Sequence, residues 1–193
     1  MKKNYRQNKT RGFTLIEALF AVFILTLTIT SFMGIVAQSL FSARYARDEI
    51  TASYLLQEVV DYIRNDRDTS VILKSGDSKA NWEVFVKRYE ENCSAVNSPN
   101  GCYFDVLIMN AGDQPQRCEE DSCYLYYNDN PEGKDVFYNH EGKGEITSFQ
   151  RHIFVDRSDK NPEDEISIRV IMNWKNGGLV KTKSLEASLL RWQ

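Results

Sequence analysis

Glu17 is the one charged side chain between Phe13 and Ala37 in a run that reads FTLIEALFAVFILTLTITSFMGIVA. A carboxylate at bilayer depth costs on the order of 2.5–3.5 kcal/mol even on lenient insertion scales. It needs either a compensating cation or a route to the headgroups along its own stem. The chain places it five residues after Gly12, at the start of the apolar run.

Three other groups of residues could carry chemistry. Cys93, Cys102, Cys118 and Cys123 are spaced C-x8-C-x15-C-x4-C. Four cysteines allow three pairings, and two local loops, Cys93–Cys102 and Cys118–Cys123, are the expected one. A zinc site is the rival reading, which the wide first spacing fits poorly. Asp156, Asp159, Glu163, Asp164 and Glu165 fall in one short stretch. Such a cluster could offer calcium its oxygen ligands, but Arg157 and Lys160 interrupt it and the EF-hand order with its glycine is missing. A solvated hairpin loop is therefore expected, with no metal. The two histidines, His140 and His152, sit in no triad, metal pair or nucleophile motif, and no glycine-rich phosphate loop appears. The expectation is a protein without catalytic residues or cofactors.

The elements that hold these groups can be read from periodicity. As a helix, Phe13 to Ala37 spans roughly 37 Å, enough to cross a ~30 Å hydrocarbon layer with some tilt. No clear small-residue cleavage site follows it, and it is longer than a secretory signal core. The first twelve residues hold Lys2, Lys3, Arg6, Lys9 and Arg11 and no acid. Setting them aside takes the formal charge from −3 to about −8. A basic flank stays in the cytoplasm, so the rest should lie outside, where disulfides persist. An acidic domain gives no support to a nucleic-acid partner, which needs clustered Lys and Arg.

Beyond Ala37, Leu40, Ala43, Ala46, Ile50, Tyr54, Val59 and Ile63 recur at helical intervals. This predicts that the helix continues to about Asn65 as an amphipathic rod, roughly 80 Å in all, ending in a loop at Asn-Asp-Arg-Asp-Thr-Ser. Ser78 to Tyr89, with Trp82, Phe85, Val86 and Tyr89 in register, predicts a second helix. Tyr103–Met109, Cys123–Tyr127, Asp135–Tyr138 and Ser148–Val155 read as strands. Glu165–Trp174 alternates, with Ile166, Ile168, Val170, Met172 and Trp174 on one face. Asn176-Gly177-Gly178 then predicts a tight hairpin turn into Leu179–Leu190. The fold class is α+β: a long N-terminal helix, its first half transmembrane, with its second half laid on an antiparallel sheet. The divisions are a leader at 1–12, a membrane or filament-core helix at 13–37, its amphipathic half at 38–66 and a β-rich domain at 67–193.

The run Arg11-Gly12-Phe13-Thr14-Leu15-Ile16-Glu17, after a short basic leader and before a long apolar helix, resembles the processing site of type IV prepilins and pseudopilins. The resemblance covers about Met1 to Ala37. It implies that a prepilin peptidase cuts between Gly12 and Phe13 and N-methylates Phe13. It also implies that Glu17 pairs with the N-terminal amine of a neighbouring subunit during assembly. Such a desolvated pair sets axial register more than it adds net stability. The implied partners are the peptidase, other pilin or pseudopilin subunits, the inner-membrane assembly platform and the membrane itself. The C-terminal pattern, Trp174, the Gly177-Gly178 turn and a last strand ending Leu-Leu-Arg-Trp192, looks most like minor pilins of the PilV type. A minor pseudopilin of type II secretion or of competence shares the same helix. An uncleaved single-pass anchored sensor or enzyme is the reading from a different class.

Overall fold

The computed structural model describes residues 12–106, 109, 113–119, 123–129, 137–140 and 142–191. The basic leader through Arg11, residues 107–108 and 135–136 of two expected strands, and Trp192 lie outside the described residues.

The chain divides into two units, Met1–Arg47 and Asp48–Gln193. A single helix, α1 (Leu15–Arg67), contributes to both. In the first unit, from Ala18 to Ala37, α1 carries no charged residue, and no residue from Leu15 to Phe41 is buried. In the second it is one-sided: Ala52, Leu55, Leu56, Val59, Val60 and Ile63 are buried in the domain core. The expected stripe is corrected here, because Ile50 and Tyr54 point outward. The stripe has to follow the 3.6-residue repeat, and 52-55-56-59-60-63 does so where 50-54-59-63 drifts off the face.

The helix end also differs from expectation. Asp66 and Arg67 are buried rather than solvated, and a π-helical turn (Asp68–Ile72) follows directly. Asp66 takes donors from Arg88, Tyr89 and Ser70. Arg67 donates to the Leu190 carbonyl at 2.8 Å. Polar residues that look like loop are thus retained in the helix by partners distant in sequence.

α2 (Ser78–Cys93) starts at Asp77, whose side chain accepts from the Lys79 amide as an N-cap. It buries Trp82, Phe85, Val86, Tyr89 and Cys93. The described strands are β1 (Cys102–Tyr103), β2 (Gln116–Arg117), β3 (Tyr124–Tyr127), β4 (Tyr138–Asn139), β5 (Glu145–Arg157), β6 (Glu165–Asn176) and β7 (Leu179–Leu190). They form one antiparallel sheet. β5 is central: β6 and then β7 lie on one side, while β1 with β2 and β3 with β4 share the other. The β6 alternation matches its burial, with Ile166, Ile168, Val170, Met172 and Trp174 all inward. Gly177 and Gly178, at φ 57° and 85°, make the two-residue turn between β6 and β7. Both conformations are left-handed, as the type I′ hairpin requires.

Lys183 of β7 donates to Glu49 and Ser53, and Asn176 to Asp48. Arg151 of β5 is almost wholly buried and reaches Glu58 at 2.9 Å and the Phe104 carbonyl at 3.1 Å. These bonds fasten the C-terminal part of α1 to the sheet.

Candidate processing and assembly site

The site begins where the helix begins. Leu15 is the first helical residue, and the amides of Glu17 and Ala18 both donate to the Thr14 carbonyl, at 3.1 and 3.2 Å. Thr14 is therefore the N-cap, and Glu17 stands three positions into the helix. Thr-x-x-Glu is the sequence signature of a capping box. The Thr14 hydroxyl lies 3.5 Å from Glu17 Oε2, a long contact. The sequence reading missed this role for Thr14, although the spacing alone signals it. A carboxylate in the first turn also lies against the positive end of the helix dipole.

Gly12 and Phe13 precede the cap in non-helical backbone, and Phe13 is 77% exposed. A Cβ built on Gly12 would meet nothing within 4 Å. The chain's own packing thus sets no demand for glycine there. The same holds at Gly34 within the helix.

Behind the cap the helix surface is mostly apolar. Its large hydrophobic side chains from Leu15 to Val36 are each 51–81% exposed. A soluble chain rarely exposes a contiguous apolar area of this extent, and its cover must come from lipid or other helices. Four hydroxyls interrupt the run, and each is satisfied within the helix. Thr26 donates to Phe23 O at 2.8 Å, Thr28 to Leu25 O at 2.8 Å and Ser31 to Leu27 O at 2.9 Å. Thr30 is shared between Thr26 O and Leu27 O at 3.0 Å each. Back-bonding of this kind lets hydroxyls enter hydrocarbon without a stranded donor. The Glu17 carboxylate, which can only accept, finds no backbone donor among the described residues and is met only by the long Thr14 hydroxyl contact.

The other sequence candidates lie in the second unit. Disulfides join Cys93 to Cys102 and Cys118 to Cys123, with Cα separations of 4.7 and 5.5 Å. The first is part of the core, linking the end of α2 to β1. The acidic stretch does not converge on one point. Asp156 accepts from the Ser94 hydroxyl and the Ala95 amide, at 2.8 and 3.0 Å. Glu163 faces Lys79 at 2.8 Å, and Asp164 faces Arg191 at 2.7 Å. Asp159 and Glu165 join no cluster with them that could hold an ion, among the described residues. Arg157 lies between Glu83 and Glu90. These carboxylates tie the β5–β6 loop to α2 and to the end of β7.

His140 is packed against Tyr103, ring centroids 4.8 Å apart. Burial, reinforced by the Arg151 charge, pushes its pKa down to about 2, so it is neutral.

Residues 7–33 match the family described as Prokaryotic N-terminal methylation motif. No curated protein and no solved structure matches the chain. The match ends within the apolar helix and contains the Gly12–Phe13 junction, the Thr14 cap and Glu17. With the α+β fold, the long helix and the antiparallel sheet, it supports a type IV pilin-like or pseudopilin subunit, implying processing by a prepilin peptidase and assembly with other pilin subunits.

Proposed function

We propose that the chain is a minor pilin-like subunit of a type IV pilus, acting in filament initiation or at the tip. It is made as a membrane precursor with its basic leader in the cytoplasm and its C-terminal domain outside. Cleavage after Gly12 frees the amine of Phe13, which is then methylated. The subunit leaves the bilayer by exchanging lipid for the apolar helices of its neighbours.

One observation carries the reading. The helix from Leu15 is capped by Thr14, exposes mostly apolar surface, and presents one carboxylate three residues into the helix. A permanent anchor gains from that carboxylate only helix capping, at the cost of carrying a charge into the apolar segment. A subunit that must find one axial position among neighbours gains more, because only the right stagger brings Glu17 to another chain's new amine. The Gly12 environment agrees: its glycine serves an approach from outside the chain, since a backbone without a side chain admits an enzyme closely.

Co-production with an active prepilin peptidase tests it. The wild-type chain should be shortened by its leader, and Gly12→Val should stay full length at similar abundance. Equal shortening of both, or of neither, would contradict the assignment. A shortened chain that never leaves the membrane fraction would move it to a pseudopilus of a secretion or DNA-uptake system.

A further inference from the structure

The Gly12–Phe13 junction lies just ahead of the first helical turn. Leu15 opens α1, and the amides of Glu17 and Ala18 both end on the Thr14 carbonyl. Among the described residues no backbone amide donates to the carbonyl of Gly12 or of Phe13. Both residues are exposed and non-helical. The junction enclosed by the match at residues 7–33 therefore stands outside the helix, and Thr14 is the residue at the boundary.

That boundary is not the default for this helix. α1 runs unbroken for 53 residues, and the first amides of any helix have no partners inside it. At a membrane, where little water reaches them, unpaired amides are costly. One more turn toward the N-terminus would give Ile16 and Glu17 the carbonyls of Gly12 and Phe13, four residues back. Gly12 opposes that turn only weakly. Thr14 opposes it directly, since threonine favours the cap over the helix interior. Its hydroxyl stands 3.5 Å from Glu17, the other half of the Thr-x-x-Glu box.

We infer that Thr14 is a positioning residue for leader removal: by fixing where the helix starts, it holds the Gly12–Phe13 peptide open to the peptidase. The inference rests on the processing assigned above. Hydrolysis adds the hydroxyl of one water to the Gly12 carbonyl carbon and its proton to the Phe13 nitrogen as the bond between them breaks. Both atoms must be reachable. In a further helical turn the Gly12 carbonyl would be hydrogen-bonded along the axis and screened by neighbouring side chains, and the peptidase would have to unwind it first. Thr14 touches none of the reacting atoms and acts only through the backbone it caps.

Full-length protein in detergent micelles is incubated with purified prepilin peptidase, and kcat/KM for leader release is followed by intact mass. Thr14→Val keeps the shape and removes the cap. Its kcat/KM should fall about fivefold, the factor that matches a typical cap loss of about 1 kcal/mol. Thr14→Asn supplies a cap of different shape and should stay within about twofold of the wild type. Hydrogen exchange reads the helix start, and Thr14→Val should slow exchange at the Ile16 amide. Wild-type cleavage of Thr14→Val, equally slow cleavage of Thr14→Val and Thr14→Asn, or slow cleavage of Thr14→Val with unchanged exchange would each overturn the inference and leave the processing assignment standing. A wild-type chain left whole by the active peptidase would overturn both.

Discussion

The Tyr89 hydroxyl donates to Asp66 Oδ2 at 2.7 Å, and both groups are buried. One guanidinium nitrogen of Arg88 spans both oxygens of the same carboxylate, at 3.0 and 2.7 Å. Burial first, and the Asp66 charge second, push the Tyr89 and Tyr62 hydroxyls to higher pKa than a free tyrosine. Asp66→Ala should destabilise the domain by about 3–5 kcal/mol, because it leaves Arg88 without its counter-charge. Asp66→Asn keeps an acceptor for Tyr89 and should cost less. Urea unfolding followed by circular dichroism measures both, and equal midpoints for Asp66→Ala and the wild type would refute the keystone role.

Gly144 and Gly142 both have left-handed backbone, φ 101° and 76°. They differ in surroundings. A Cβ at Gly144 would collide with the Tyr127 carbonyl group, whereas at Gly142 it would meet nothing within 4 Å. Gly142→Ala should therefore cost only the conformational penalty, about 1–2 kcal/mol. Gly144→Ala should cost clearly more and disturb the start of β5. Thermal melts of the two variants side by side give the comparison.

Neutral, buried His140 makes the domain sensitive to acid. Its folded pKa lies near 2, below the ordinary 6.5. The unfolded chain takes up a proton below about pH 6.5 that the folded chain refuses, so unfolding is favoured as pH falls. Stability from this group is complete above pH 6.5 and should decline by about 1.4 kcal/mol per pH unit below it. His140→Gln should flatten the profile between about pH 6.5 and 5, before most carboxylates titrate. Denaturant midpoints measured across that window would show it, and an unchanged slope in the variant would refute it.

Glu17→Gln keeps the shape and removes the charge. Leader removal should proceed normally, because the cleaved junction is untouched. Recovery in sheared filaments should fall by roughly tenfold or more, equivalent to about 1.4 kcal/mol of lost pairing. Immunoblots of membrane and sheared fractions separate the two steps. Undiminished recovery in filaments would mean that Glu17 is a capping residue and nothing more.

Much of this was legible in the chain. The apolar run and the Glu165–Trp174 alternation are strong periodic signals, and Gly177-Gly178 leaves little choice of turn. What escaped was set by contacts distant in sequence. Asp66 and Arg67 look like loop residues until Arg88, Tyr89 and the Leu190 carbonyl are brought to them. The buried stripe of α1 was misread because Ile50 and Tyr54 suit a core by type, while Ala52 and Leu55 hold the inward positions. The acids near Asp156 resemble a calcium loop in residue type and density alone, and Ser94, Lys79 and Arg191 separate their roles. His152 lies near the second cysteine pair only because β5 carries it there. The Thr14 cap, by contrast, was visible in four letters and needed only the helix start to be placed.

The most direct test of the central claim is intact-mass and N-terminal peptide mass spectrometry on filaments sheared from cells, beside the membrane fraction. The sheared material should contain a chain that begins at N-methyl-Phe13. An intact leader from Met1, in cells whose prepilin peptidase processes its other substrates, would contradict it.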